Sequence, residues 1–134
     1  MKFLPFCYLL LLLVSTSCNF TLEDEKITHL GGEIINPKED FVLLYKDNVL
    51  LDSIFLSENN RFSYEFKNFV PGLYNFKHKE YQYVYIEHQD SIMLRVNTIG
   101  FDESLNFSGK GAHKNNFLIL IKSKTSSFVK CLCN

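Results

Sequence analysis

The chain has 134 residues, which limits it to one ordinary domain. At 46% hydrophobic and 22% charged it is too apolar for a disordered chain and too mixed for a set of membrane spans. Its formal net charge of −1 excludes a strong electrostatic attraction to nucleic acid.

The N-terminus reads as an address. Met1-Lys2-Phe3 supplies a short positive start, and a Leu-rich run follows from Tyr8 to Val14. The small polar residues Ser15, Thr16 and Ser17 then lead to Cys18. This is the layout of a secretory signal peptide over residues 1–17, a helix-forming segment removed after export. The apolar run is too short to cross a bilayer core that needs ~20 residues. Pro5 and the polar break after Val14 argue against a buried core helix. Ser15-Thr16-Ser17-Cys18 resembles a bacterial lipobox, in which the Cys is diacylated and becomes the new N-terminus; Ser15 stands where that motif usually carries Leu. Lipidation at Cys18 is the expected outcome, because two acyl chains at ~0.8 kcal/mol per buried methylene give a stable anchor. Ordinary cleavage near Ser17, leaving a free thiol, is the alternative. The implied location is the bacterial cell envelope, facing the periplasm or the exterior and held to the membrane by lipid.

Beyond the signal the charge divides sharply. Residues 18–109 hold 8 basic and 15 acidic side chains, whereas residues 110–134 hold 5 Lys and no acid. Such a split marks a change of segment type. Residues 18–26, with Glu23-Asp24-Glu25, read as a solvated tether.

From Ile27 onward apolar residues alternate and turn residues recur. Ile27–Ile35 is a strand interrupted by Gly31-Gly32 and stopped by Asn36-Pro37. Phe41–Tyr45 and Val49–Phe55 flank Lys46-Asp47-Asn48, a connection of hairpin length. In Arg61–Phe66 the rings of Phe62, Tyr64 and Phe66 share one face, a clear period of two. Pro71-Gly72 turns into Leu73–His78; Tyr81–Glu87 and Ser91–Val96 follow, and Leu105–Gly109 closes the series. Short strands at roughly ten-residue spacing predict an all-β domain over residues 27–109. The expected architecture is an antiparallel β-sandwich of about seven to eight strands, of transthyretin or immunoglobulin kind. The tail, residues 110–134, opens with a flexible basic turn, Gly109–Lys114. Asn115-Asn116 would then cap a short helix starting at Phe117-Leu118-Ile119-Leu120-Ile121, five apolar residues that equally suit a buried strand. Mobility is expected from about Lys122 on.

Several pieces of this pattern carry a resemblance. They are Gly32-Glu33-Ile34, Leu50–Ser53, Phe62-Ser63-Tyr64, Pro71–Tyr74, Ile86–Ile92 and above all Phe107-Ser108-Gly109-Lys110-Gly111-Ala112-His113-Lys114-Asn115-Asn116-Phe117-Leu118. Over residues ~27–120 the chain resembles the domain of unknown function that precedes the thioredoxin-like domain in envelope lipoproteins of the TlpA type. The resemblance implies an accessory or docking role beside a thiol-disulfide oxidoreductase and an envelope protein as partner. It implies no catalysis here, since no residue of this chain occupies the family's Cys-x-x-Cys position, and the chain looks truncated before that domain.

Candidate sites are few. Tyr81, Tyr83 and Tyr85 share one face of a strand. Exposed, they would form a ladder suited to sugar rings or to an aromatic-rich interface, the basis of a second functional reading as a small-ligand or glycan-binding sandwich. Because the opposite face of that strand is also fairly apolar, the favoured expectation is that the rings fill the core or cover its edge. Cys131-Leu132-Cys133 has one intervening residue, where thioredoxin chemistry uses two at a helix N-terminus, and zinc would need two further ligands. A disulfide in an oxidising compartment suits this pair better. The histidines (His29, His78, His88, His113) are scattered, although strand pairing offers a route by which His78 and His88 would meet. No phosphate loop, nucleophile elbow or His-Glu-x-x-His motif occurs, so no catalytic residue, metal site or cofactor is assigned.

Overall fold

A computed structural model describes residues 27–132, with side chains as far as Thr125. The signal peptide, Cys18, the tether and Cys133 lie outside the described residues, as does the side chain of Cys131. Eight strands are present: β1 (His29–Ile35), β2 (Phe41–Lys46), β3 (Val49–Phe55), β4 (Arg61–Glu65), β5 (Gly72–His78), β6 (Glu80–Ile86), β7 (Ser91–Asn97) and β8 (Asn106–Lys110). A single helical turn, α1 (Phe101–Ser104), precedes β8, and a long helix, α2 (Ala112–Leu132), follows it.

The strands form two four-stranded sheets, ordered β4-β1-β7-β8 and β3-β2-β5-β6. Their inner faces carry the alternate residues of each strand. In β7, Ile92, Leu94 and Val96 are buried while Ser91, Met93 and Arg95 face out; in β5, Tyr74, Phe76 and His78 point inward. Each fully buried aliphatic or aromatic side chain contributes about 1.5–3 kcal/mol. Leu30, Ile34, Val42, Leu44, Phe76 and Ile86, all at 0% exposure, therefore anchor the sandwich. Phe62 and Ile92 are buried as the alternation predicts, and Tyr64 and Phe66 pack against the core from its margin.

Local chemistry sets the turns. Asp47 and Asn48 both take positive φ (50° and 63°), so β2 and β3 are joined by a two-residue turn of the twist that matches a hairpin. At Pro71-Gly72 the Tyr74 phenol donates back to the Val70 carbonyl at 2.6 Å, closing the corner before β5.

Four features depart from the sequence reading. The Gly pair does not interrupt β1, which runs unbroken between β4 and β7. It serves close approach instead, since a Cβ on Gly32 would clash with the Leu94 carbonyl oxygen. The β1–β7 pair is parallel, with Leu30 opposite Ile92 and Val96 opposite Ile34, so one sheet is mixed while every other pair is antiparallel. Parallel neighbours need a long crossover, here supplied by the chain from β2 to β6. Helix α1 is a turn that strand periodicity does not announce. The tail departs furthest. Its helix begins at Ala112, inside the expected flexible turn, and continues to Leu132 through the Ser- and Lys-rich stretch expected to be mobile. Residues 112–132 contain no Gly or Pro, and lysines toward the C-terminus suit the helix dipole.

Candidate functional site

Two places on the sandwich concentrate interacting side chains beyond what the core requires. The first is the outer face of sheet β3-β2-β5-β6. In β6 the inward set is Gln82, Val84 and Ile86, so the period of two sends Tyr81, Tyr83 and Tyr85 outward. Tyr81 and Tyr83 are 58% and 57% exposed, which corrects the expectation that these rings fill the core or cover its edge. The buried Gln82, whose side-chain amide donates to the Tyr83 carbonyl at 3.3 Å, takes an inner place beside Val84 and Ile86.

Register then assembles a site from three strands. Tyr45 of β2, Asn75 of β5 and Tyr83 of β6 stand in one cross-strand row, with Lys77 and Tyr81 paired in the adjacent row. The Tyr45 and Tyr81 rings meet across β5 with centroids 5.8 Å apart, and the Lys77 ammonium lies 5.0 Å from the centre of the Tyr81 ring. Together with Asn48 from the β2–β3 turn, Tyr45, Asn75, Tyr81 and Tyr83 line an open pocket of about 410 Å³. Asn75 Oδ1 is buried and has no hydrogen-bond partner, unlike every other buried side-chain oxygen or nitrogen of the described residues. The Tyr45 phenol is held above its usual ionisation range, first by burial and then by the neighbouring Tyr81 phenol, so it stays a neutral donor. Tyr85 does not join this site. It is half-buried, its phenol donates to Glu87 Oε1 at 3.2 Å, and Lys114 lies over its ring.

The second place is where α2 meets the sheets. Strands β6 and β8 are edge strands of opposite sheets, and both present unpaired backbone groups on the side covered by α2. Asn115 Oδ1 accepts the Tyr85 N–H at 2.7 Å while its Nδ2 donates to the Tyr85 carbonyl at 2.9 Å. The next residue repeats the arrangement on the other sheet: Asn116 takes the Phe107 N–H at 2.9 Å and donates to the Phe107 carbonyl at 2.8 Å. Each amide imitates one residue of an added strand. These asparagines are therefore not the helix cap that their position before an apolar run suggested; they lie inside the helix and clamp it sideways to both sheets.

Charged groups secure the same junction. Lys114 pairs with Glu87 and lies 3.4 Å from the Asp90 carboxylate. Asp90, buried, accepts the Glu87 N–H at 2.9 Å and packs against Gly111, whose φ of 91° and lack of Cβ leave room for the carboxylate. The hydrogen bond from Lys114 holds the Glu87 carboxyl below its usual range, and the same bond raises the Lys114 ammonium. The segments 86–92 and 107–118, remote in sequence, thus meet here.

The remaining candidates are dispersed. His78 is buried; its Nδ1 donates to the Phe41 carbonyl at 2.9 Å and its Nε2 accepts the Lys38 N–H at 3.1 Å, which fixes the loop into β2. His88 is exposed, in edge contact with the Phe69 ring, and is not among the hydrogen-bond partners of His78. Among the described residues no three His, Cys, Asp or Glu side chains gather as a metal site would require. Cys131 lies in the last turn of α2, and the disulfide expected of Cys131 and Cys133 falls outside the described residues. Comparison of the chain with protein-family models, with curated proteins and with solved structures finds no match.

Proposed function

We propose that this domain is a non-catalytic docking module of the bacterial cell envelope, tethered by lipid at Cys18, which presents α2 to a neighbouring protein domain. The observation that carries the reading is the clamped helix. Asn115 and Asn116 fix the first turns of α2 to both sheets, while Phe117, Leu118, Leu120 and Ile121 just beyond them are 45–60% exposed. A group of large apolar side chains on a rigidly held helix is a surface that a partner buries. Because the clamp removes the freedom of a hinge, whatever docks there is held at one orientation to the sandwich. The family resemblance makes a thioredoxin-like domain the partner of choice.

A photoreactive residue placed at Leu118 or Ile121 tests this in envelope preparations. The reading expects a discrete protein adduct at both positions and none at Glu58, an exposed turn residue elsewhere on the domain. Adducts no more frequent at 118 and 121 than at 58 would sink it. The tether is tested separately by fatty-acid labelling of wild type and Cys18→Ala, where equal label on both proteins removes the lipid anchor.

A further inference from the structure

We propose that the pocket on the outer face of sheet β3-β2-β5-β6, lined by Tyr45, Asn48, Asn75, Tyr81 and Tyr83, binds a neutral saccharide. This goes beyond the docking role and is independent of it, since α2 contributes nothing to the pocket.

The chemistry of the lining selects the ligand. The pocket lies on a sheet face, over β2, β5 and β6, where strand pairing uses the backbone groups of β2 and β5 and those on one side of β6. A peptide that adds a strand would pair with the free edge of β6 beside the pocket and would leave Asn75 on the pocket floor untouched. On the face itself only side chains are left to hold a ligand, and they are of two kinds. The tyrosines offer flat apolar faces with hydroxyl rims, on which the C–H face of a pyranose ring stacks. Asn75 and Asn48 offer amides that can exchange hydrogen bonds with hydroxyl groups. A volume of about 410 Å³ lies within the range of small-molecule sites.

The decisive feature is Asn75 Oδ1. A buried acceptor left unpaired is unfavourable in the free protein, and a ligand hydroxyl that reaches it supplies the missing donor. Tyr81 and Tyr83 are 58% and 57% exposed, and exposed side chains change rotamer within picoseconds to nanoseconds, so these pocket walls adjust to a ligand without movement of the sheet. A purely apolar ligand gains nothing from Asn75, and an anionic oxygen, even one drawn by Lys77 beside Tyr81, brings no donor to Asn75 Oδ1. A hydroxylated ring satisfies both the stacking faces and the amide.

The chain contains no Trp, and three of its seven tyrosines line the pocket, so tyrosine fluorescence registers a ligand stacked there. The full chain is titrated with chitobiose, maltose and xylobiose at millimolar concentrations, with mannitol as a polyol that lacks a ring face. The expected result is a saturable change with at least one disaccharide and none with mannitol. Asn75→Leu, which removes the amide and keeps the rings, is expected to weaken that binding about tenfold or more. Tyr83→Ala, at an exposed position where the fold is not at stake, is expected to abolish it. Unchanged circular dichroism of both variants confirms that the loss is local. Absence of saturation with all three sugars, equal response to mannitol, or undiminished binding by Asn75→Leu would each overturn the proposal.

Discussion

Replacing Asn115 by Ala removes two hydrogen bonds at once and leaves both backbone groups of Tyr85 without their partners. The site is enclosed: Asn115 is 1% exposed, and its amide sits at 2.7 and 2.9 Å from the Tyr85 nitrogen and oxygen. A buried backbone group stripped of its partner costs about 1–3 kcal/mol, so the pair together should lose roughly 2–6 kcal/mol of unfolding free energy. Asn116→Ala deletes an equivalent pair of bonds to Phe107, but Asn116 is exposed and water can replace it. Its expected cost is about 1–2 kcal/mol. Urea unfolding followed by circular dichroism measures both, and amide hydrogen exchange at Tyr85 and Phe107 assigns each loss to its edge strand. An Asn115→Ala variant no less stable than Asn116→Ala would refute the reasoning, because burial would then not be what makes the clamp strong.

Two further outcomes are expected. The stabilisation from the Glu87–Lys114 pair should be full between the usual carboxylate and lysine ranges. It should fade as pH falls through the depressed Glu87 value, and again as pH rises through the elevated Lys114 value; unfolding curves of wild type and Lys114→Met across pH show whether the two arms exist. Gly32→Ala should destabilise the domain by about 1–3 kcal/mol or more, since the new methyl meets the Leu94 carbonyl between two central strands, and a thermal melt within error of wild type would contradict that.

The strands were legible because half-buried strands write their burial in a period of two, as Phe62 and Tyr64 do. Pairing was not legible. Nothing in the alternation of β1 indicates that its parallel neighbour is β7, since the same pattern serves either direction. The helix was half-legible: Asn-Asn before an apolar run is the signature of a cap, and the same amides facing edge strands satisfy other backbone groups with no change in sequence. At the pocket, Tyr81 and Tyr83 were singled out, but both faces of β6 are apolar enough to hide which is inner. Tyr45 and Asn75 carry no local mark at all. They belong to the site only through register across three strands, which a linear pattern does not contain.

The parallel pairing of β1 with β7 also orders the assembly of the domain in time. Sheet β3-β2-β5-β6 is complete once Ile86 is available, and two of its three pairings join consecutive strands. The other sheet waits, because Leu30 has no parallel neighbour until Ile92 arrives, and β8 follows later still. Closing so long a loop is slow compared with forming hairpins. A chain threaded through a pore from its N-terminus therefore delivers its central strand first and locks it nearly last, with an apolar sheet face uncovered in the interval. Such a chain is most vulnerable to aggregation and to chaperone capture just before β7 emerges.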